Sequence, residues 1–498
     1  MKQIEKYLIP LFLLSIVVVY TILVFLSEGT AGGADDMTHY RYSRYAFQYP
    51  RFFLHHWGKP LFTALTAPFA QFGYNGVRVF NVVAGTTAAW LTFRVAKNLG
   101  FSQPFLAMVL VIGSPMYTVL MLSGMTEILF SLILILVIFL FFNKHYIWSA
   151  LALSFIPFVR TEGVVILPLF FLALLWLRQW KALPFLLFGL VFYSIVGSFY
   201  YKDIFWVFTE MPYGGNARSI YGSGELLHYV KASKFIFGLP LAFLILAGLL
   251  LFLIDPLIER GKVGKDWVIR MLVVYGPFLV YFIAHSYVWW KGKGNSVGMT
   301  RVMAGVIPSA VLLALWGWNR IMHWIPMKSL LKNLLAIAFS VYLLSIPYKT
   351  YTIPVPLKGE ERVVKRASAW LEASEYSDRK MYYYNPFFCH FMKLNPYDEE
   401  RVRAKVYNPE VPEKKIQEGE LVVWDAHFGP NEGRLPLERL MDSKGFRLIK
   451  LEREKEPFTV LGGYLYEIYI FERITEDDGK NNHDLYQVML DEILNAGE

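Results

Sequence analysis

Apolar residues run through the first 350 positions of this chain in blocks long enough to cross a bilayer, with short polar interruptions between them. A helix needs about 20 consecutive apolar residues to span the hydrocarbon core, and Leu8 to Leu26 is the first block to supply them. Further blocks lie near 76–97, 104–122, 125–142, 146–159, 163–178, 183–200, 235–254, 267–288, 302–319 and 330–347, which predicts eleven spans. The short blocks 146–159 and 163–178 are read as two helices because Arg160-Thr161-Glu162-Gly163 separates them. A moderately apolar segment, Pro60 to Phe72, precedes the second span. The first block is longer than the apolar core of a signal peptide. It is therefore expected to be an uncleaved anchor, despite the small residues Thr30-Ala31-Gly32-Gly33-Ala34 behind it.

The pattern changes at about Pro347. Short apolar runs at Lys380 to Tyr384, Leu421 to Trp424, Phe446 to Ile449 and Tyr464 to Phe471 read as strands, with helical periodicity near 361–373 and 435–444 between them. Strands alternating with helices predict a small α/β domain. The expected fold class is an α-helical polytopic membrane protein with a C-terminal extracytoplasmic α/β domain. Residues 1–347 form the transmembrane domain, with a first external loop at 27–75, and 348–498 form the soluble one. The acidic residues after about Asp484 are expected to fray.

Loop charges suggest the topology. With the N-terminus cytoplasmic, the loops at 94–103, 143–145, 178–182, 255–266 and 319–329 all face inward, and each carries Lys or Arg. The opposite face collects Asp35 and Asp36, Thr126-Glu127, Arg160 to Glu162, the loop 201–234, and Trp289 to Arg301. It also holds Arg41, Arg44, Arg51, Lys59, Lys202 and Arg218, so the bias favours this topology only modestly. An odd number of spans places the chain from 348 onward on that same face.

Composition fits this class, with 55% of 498 residues hydrophobic. The net charge of +9 conceals an asymmetry: residues 351–498 carry 21 basic and 28 acidic side chains, which leaves +16 to the membrane half. Those basic residues are scattered between spans rather than gathered in one stripe, so nucleic acid is not an expected partner. The single cysteine, Cys389, excludes an internal disulfide framework and a cysteine-built zinc site. His55 and His56 are adjacent, hence poorly placed to chelate one metal together.

Candidate chemistry concentrates where polar residues interrupt the spans. Asp35 and Asp36 either cap a helix running to Tyr45 or serve as a base or metal ligand at the membrane surface. Glu127 and Glu162, preceded by Thr126 and Thr161, open hydrophobic spans and so suit helix dipoles; they alternatively line a site with Arg160. Lys59 is either an interfacial lysine or a phosphate ligand. Lys291 and Lys293 flank glycines beside Trp289 and Trp290, which suits an interfacial belt or a loop closing on phosphate. The Gly-, Tyr- and Ser-rich loop 201–234, with Arg218, reads as a mobile lid. Trp424-Asp425-Ala426-His427 ends a predicted strand and is read as packing.

The run Ala34-Asp35-Asp36 with Tyr40, then Gly58-Lys59-Pro60-Leu61, then a span ending Arg94-Val95-Ala96-Lys97, resembles the multi-span glycosyltransferases of the GT-C superfamily. It is most similar to their protein mannosyltransferase and lipid A aminoarabinose transferase branch. Met299 to Pro308, with Arg301, resembles the start of a late span in that family. Motif-level likeness is confined to about 33–97 and 299–310. Asp36 stands where Glu is common, and Gly58-Lys59-Pro60 where two prolines are common, which leaves open which acid is catalytic.

The resemblance implies transfer of a sugar from a polyprenyl-phosphate donor to a lipid, protein or polysaccharide acceptor, on the extracytoplasmic face of a cell (inner) membrane. It implies Asp35 as the base, assisted by Asp36. It implies Lys59, Arg301 and Lys293 as ligands of the donor phosphate, and Tyr40, Glu127, Arg160, Glu162 and Arg218 as site lining. No cofactor is expected, a divalent cation being the less favoured alternative. A lipid-linked glycan flippase or transporter is a rival, although no span carries a charged residue at its centre. A glycan polymerase or ligase is another, since six arginines on the outer face suffice for a pyrophosphate donor. A catalytically inactive scaffold is the third, and an Asp35 variant without phenotype would favour it.

Overall fold

The computed structural model describes residues 2–212, 222–258, 264–294, 296–475 and 481–495. They form two compact units. The first comprises the chain up to Gly32 together with Tyr42–Val355, and the second comprises Gly33–Arg41 together with the chain from Pro356 onward. The compact units thus divide after Val355 rather than at 347, and part of the 27–75 loop belongs with the second.

Seven helices of the first unit are long and apolar enough to cross a membrane: Tyr7–Leu26, Tyr74–Asn98, Trp180–Tyr201, Leu239–Pro256, Lys265–Trp290, Thr300–Trp324 and Ser329–Thr350. Four shorter apolar helices, Pro60–Ala70, Glu127–Phe142, Tyr146–Phe158 and Thr161–Trp176, accompany them. The block at 104–122 is not the single span its hydropathy predicts. It folds as two helices, Leu106–Ile112 and Pro115–Met121, broken at Gly113 and Ser114 ahead of a proline with no N–H to donate. Every residue of both pieces is buried. Such a stretch is apolar all round because protein surrounds it, and hydropathy alone cannot separate that case from lipid exposure.

The helices sort by what they face. Tyr7–Leu26 leaves Leu8, Leu11 and Leu14 each more than half exposed, as lipid-facing side chains are in the absence of lipid. Ile307–Trp324 lies in the interior against Leu239–Ile258, where Gly248 meets Gly317. A Cβ on Gly248 would fall 2.1 Å from the Leu313 carbonyl oxygen, so only glycine permits this approach. Arg78, fully buried, donates from Nε to the Leu122 carbonyl at 2.7 Å and from its terminal nitrogens to the carbonyls of Ser27 (2.9 Å) and Gly29 (3.1 Å). Asn81 Nδ2 donates to the carbonyls of Ser123 (2.7 Å) and Met125 (2.8 Å). Through these bonds one helix satisfies the carbonyls of the turn that delivers Glu127.

The second unit is built on a five-stranded sheet: β1 (Met381–Tyr383), β2 (Val402–Ala404), β3 (Leu421–Asp425), β4 (Phe446–Arg453) and β5 (Glu467–Arg473), in the order β2-β1-β3-β5-β4. β1 runs parallel to β2 and β3, and β5 runs antiparallel to β3 and β4. Helix Gly359–Ala373 and short helix Glu438–Met441 agree with the sequence pattern, whereas β2 was not legible in it. The expectation of a frayed end past Asp484 is overturned. Asn482–Asn495 is a helix whose Leu485, Tyr486, Met489, Leu490 and Ile493 pack on the sheet's core. Its i, i+4 apolar stripe outweighs its acidic composition.

Candidate functional site

In the first unit, five charged residues from four separate segments meet in one cluster. Arg160 lies at its centre. Its Nε and one terminal nitrogen donate to Glu162 Oε1 at 3.0 and 2.6 Å, and its other terminal nitrogen sits 2.7 Å from Glu127 Oε1. Arg301 approaches the same Glu127 oxygen at 3.6 Å through Nε and donates to the Gly32 carbonyl at 2.9 Å. Glu127 is fully buried, and burying a charge is costly unless it is paired in this way.

Thr126 and Thr161 do not cap the helices they precede. Thr126 makes no side-chain cap bond and instead accepts from Arg160 at 3.0 Å. Thr161 Oγ1 accepts from Lys59 Nζ at 3.1 Å. Arg160 pairs with both glutamates rather than either one. Two residues that local sequence casts as helix caps are therefore ligands of the cations.

Lys59 reaches the cluster through an unusual backbone. It precedes Pro60–Ala70 with φ of 63°, a left-handed conformation uncommon outside glycine. Gly58 sits in tight quarters, since a Cβ there would press on the Tyr42 ring and Thr63 at 3.2 Å. Strained backbone of this kind persists where the surroundings demand it. The lysine is 8% exposed, and burial pushes its ammonium down to about 8, with Glu162 drawing it up and Arg160 opposing.

Three cations against two carboxylates leave the cluster one net positive charge. Sequence reasoning missed its neutral wall. The Tyr281 and His285 rings meet at a tilt with centroids 4.4 Å apart, and Tyr229 packs edge-on to His285 at 6.3 Å. Among the described residues the Tyr229 hydroxyl and His285 Nε2 are buried without a hydrogen-bond partner, and the Tyr281 hydroxyl lies beside Arg160 and Glu162. Tyr281 and His285 share one helix face at i, i+4 spacing, a relation that becomes informative only once Arg160 and Glu162 are seen beside them.

Asp35 and Asp36 occupy the first turn of helix Ala34–Tyr45, one and two positions inside its start, so neither is its cap residue. Both belong to the second unit, where Ala34 packs on the core and Tyr40 meets His390 edge-on at 6.1 Å. Asp36 is fully buried. Lys293 is exposed, outside the buried cluster, while Lys291 rests over the Trp290 ring at 3.5 Å. Arg218 and the middle of the proposed lid lie outside the described residues. Among the described residues no three His, Cys, Asp or Glu side chains are disposed to hold a metal ion.

The second unit holds its own polar cluster at the end of β3. Asp425 Oδ1 accepts the backbone N–H of His427 (3.1 Å) and of Phe428 (2.9 Å), while Oδ2 is buried without a partner. Burial pushes this carboxyl up to about 7. His427 Nδ1 lies 3.0 Å from Glu360 Oε2; burial alone would lower the imidazole, but the hydrogen bond and charge of Glu360 raise it.

The bundle of long and short apolar helices with an appended α/β unit is a fold already seen among solved structures. Among solved structures it is similar to ArnT from Cupriavidus metallidurans bound to undecaprenyl phosphate, with a TM-score of 0.58 and 9% identity over 94% of this chain and 98% of that one. The apo state of the same protein matches with a TM-score of 0.56 and 10% identity, at the same coverage. At such identity the likeness is one of fold. No protein-family model matches the sequence, and no curated protein does either.

Proposed function

We propose that this chain is an integral membrane glycosyltransferase that moves a sugar from a polyprenyl phosphate to an acceptor on the extracytoplasmic face. The observation that carries the reading is the Lys59–Arg160–Arg301 cluster, buried in a fold shared with a protein crystallised with undecaprenyl phosphate. A phosphodiester bears one negative charge, which the cluster's single excess positive charge neutralises in a site that excludes water. As the sugar–phosphate bond breaks, the leaving phosphate gains charge and these cations stabilise it.

The acceptor hydroxyl or amine attacks the anomeric carbon and forms the new glycosidic bond. The bond from that carbon to the phosphate oxygen breaks, and the phosphate leaves with the electron pair. Asp35 takes the acceptor's proton, in the role that the sequence resemblance implies, and Asp36 assists it. Buried Glu127 and half-buried Glu162 hold Arg160 and Arg301 in place. Glu127→Gln should therefore lower phosphate affinity through misplaced cations, although it adds net positive charge.

The test is transfer of radiolabelled sugar by the purified full chain from a panel of short-chain polyprenyl-phosphate donors. Wild type is compared with Asp35→Asn and Lys59→Met, with and without chelator. Release of polyprenyl phosphate, lost in both variants and indifferent to chelator, supports the reading. Wild-type turnover that survives Lys59→Met removes the cluster from the reaction, and chelator sensitivity recasts the acids as metal ligands.

A further inference from the structure

The second unit carries one surface that neither its core nor the charge cluster explains. Residues 457–466, Pro-Phe-Thr-Val-Leu-Gly-Gly-Tyr-Leu-Tyr, contain no charged side chain, in a region (351–498) where 49 residues are charged. They form a hairpin closed by the antiparallel bridge of Thr459 with Leu465. The Val460 N–H donates to the Tyr464 carbonyl at 2.9 Å, and the Gly463 N–H donates to the Val460 carbonyl at 3.0 Å. Gly462 and Gly463, with φ of 89° and 80°, make the reversal.

The base of the hairpin is anchored. Phe458 stacks on buried Tyr466 at 5.4 Å, and Asn431 Nδ2 bridges the Leu461 carbonyl (3.0 Å) and the His427 carbonyl (2.6 Å). The tip is not covered. Leu461, Tyr464 and Leu465 are 38%, 47% and 47% exposed within five residues. Exposed apolar residues scattered singly are ordinary, but three presented together on a braced turn mark a contact surface.

Chain connectivity selects the partner. Residues 27–32 join the first span to the second unit, and residues 351–355 join the last span to it. Fully extended, each linker reaches only about 20 Å. The second unit is therefore covalently confined near a bilayer, where two leucines and a tyrosine on an uncharged turn have the composition of an interfacial anchor. We propose that the 458–465 hairpin is a lipid-contacting tip that enters the head-group boundary of the bilayer holding the chain's own spans.

The full chain, reconstituted in phosphatidylcholine–phosphatidylglycerol nanodiscs, provides the test. Leu461→Cys and Tyr464→Cys are labelled with an environment-sensitive nitrobenzoxadiazole dye, with exposed Glu375→Cys as a reference site. The single native cysteine, Cys389, is buried, and labelling of the unsubstituted protein measures its background. Nanodiscs doped with lipid carrying a nitroxide on the upper acyl chain should quench the tip labels at least twofold and leave the reference nearly unchanged. Quenching by aqueous iodide alone would overturn the proposal. Protection from both quenchers would overturn it too, because the tip would then be packed against protein. These readouts need no donor or acceptor, so their failure is independent of the transferase reading.

Discussion

Replacing Asp425 with asparagine should make the second unit more stable at alkaline pH, and by an amount that depends on pH. A carboxyl held at about 7 in the folded unit, against 3.8 when free, binds its proton more tightly folded than unfolded. Between those two values the unfolded chain carries fewer protons at this site, so stability falls as pH rises, and the fall levels off above about 7. At about 1.4 kcal/mol per pH unit, the full gap amounts to about 4 kcal/mol, of which more than half accrues between pH 5 and pH 8. Asparagine keeps an oxygen to accept from the His427 and Phe428 amides and does not titrate. It places an amide where Oδ2 is now unpartnered, at a cost of about 1–3 kcal/mol. That cost is the same at every pH, whereas the relief from ionisation is not.

His427, raised by Glu360, also loses stabilisation as pH rises, but it does so in both proteins and largely cancels in the comparison. The assay is hydrogen exchange of peptides covering 421–431 in the full chain, corrected for intrinsic rates, at pH 5 and pH 8. The stability of Asp425→Asn relative to wild type should improve by about 3 kcal/mol over that range. A difference that is flat with pH, or that moves the other way, would refute the reasoning.

Two further predictions concern the first unit. The Lys59 ammonium titrates at about 8 in the free protein, so binding of undecaprenyl phosphate should weaken about tenfold from pH 7 to pH 9. Lys59→Arg should remove most of that dependence, and a wild-type binding curve flat with pH would contradict the assignment. Gly248→Leu should unfold the bundle or lower its melting temperature steeply, because its Cβ collides with the Leu313 carbonyl oxygen at 2.1 Å. Gly264→Ala, whose Cβ meets nothing within 4 Å, is the control that should melt as wild type does.

Much of this architecture is written in local pattern. Span length and strand runs depend on neighbours in sequence, and hydropathy reads them directly: both the membrane bundle and the α/β unit follow from it. The chemical identity of the candidate site was legible as well, since Lys59, Glu127, Arg160, Glu162 and Arg301 stand out as charges at the ends of apolar blocks. What those charges do to one another was not legible. Lys59 meets Thr161 across 102 positions, and Arg160 meets Thr126 across 34. Pairing over such separations is set by how helices cross, and no local periodicity encodes it. The same holds for Tyr229, Tyr281 and His285, which read singly as residues of apolar segments.

Tertiary packing also overruled local pattern in particular places. The block 104–122 has the hydropathy of a span, yet it is two buried helices, because burial in protein and burial in lipid select the same residues. The acidic C-terminal stretch folds because five apolar side chains on one face of Asn482–Asn495 find a sheet to cover. Asp35 and Asp36 follow the first span in sequence but belong to the second unit, since Ala34 and Tyr40 find their partners there. By itself the sequence determined the class of protein and the inventory of charges, because both are sums over local composition. Only the tertiary structure decided which charges neutralise one another and which core each segment joins, because those depend on surfaces that exist only once distant segments have packed.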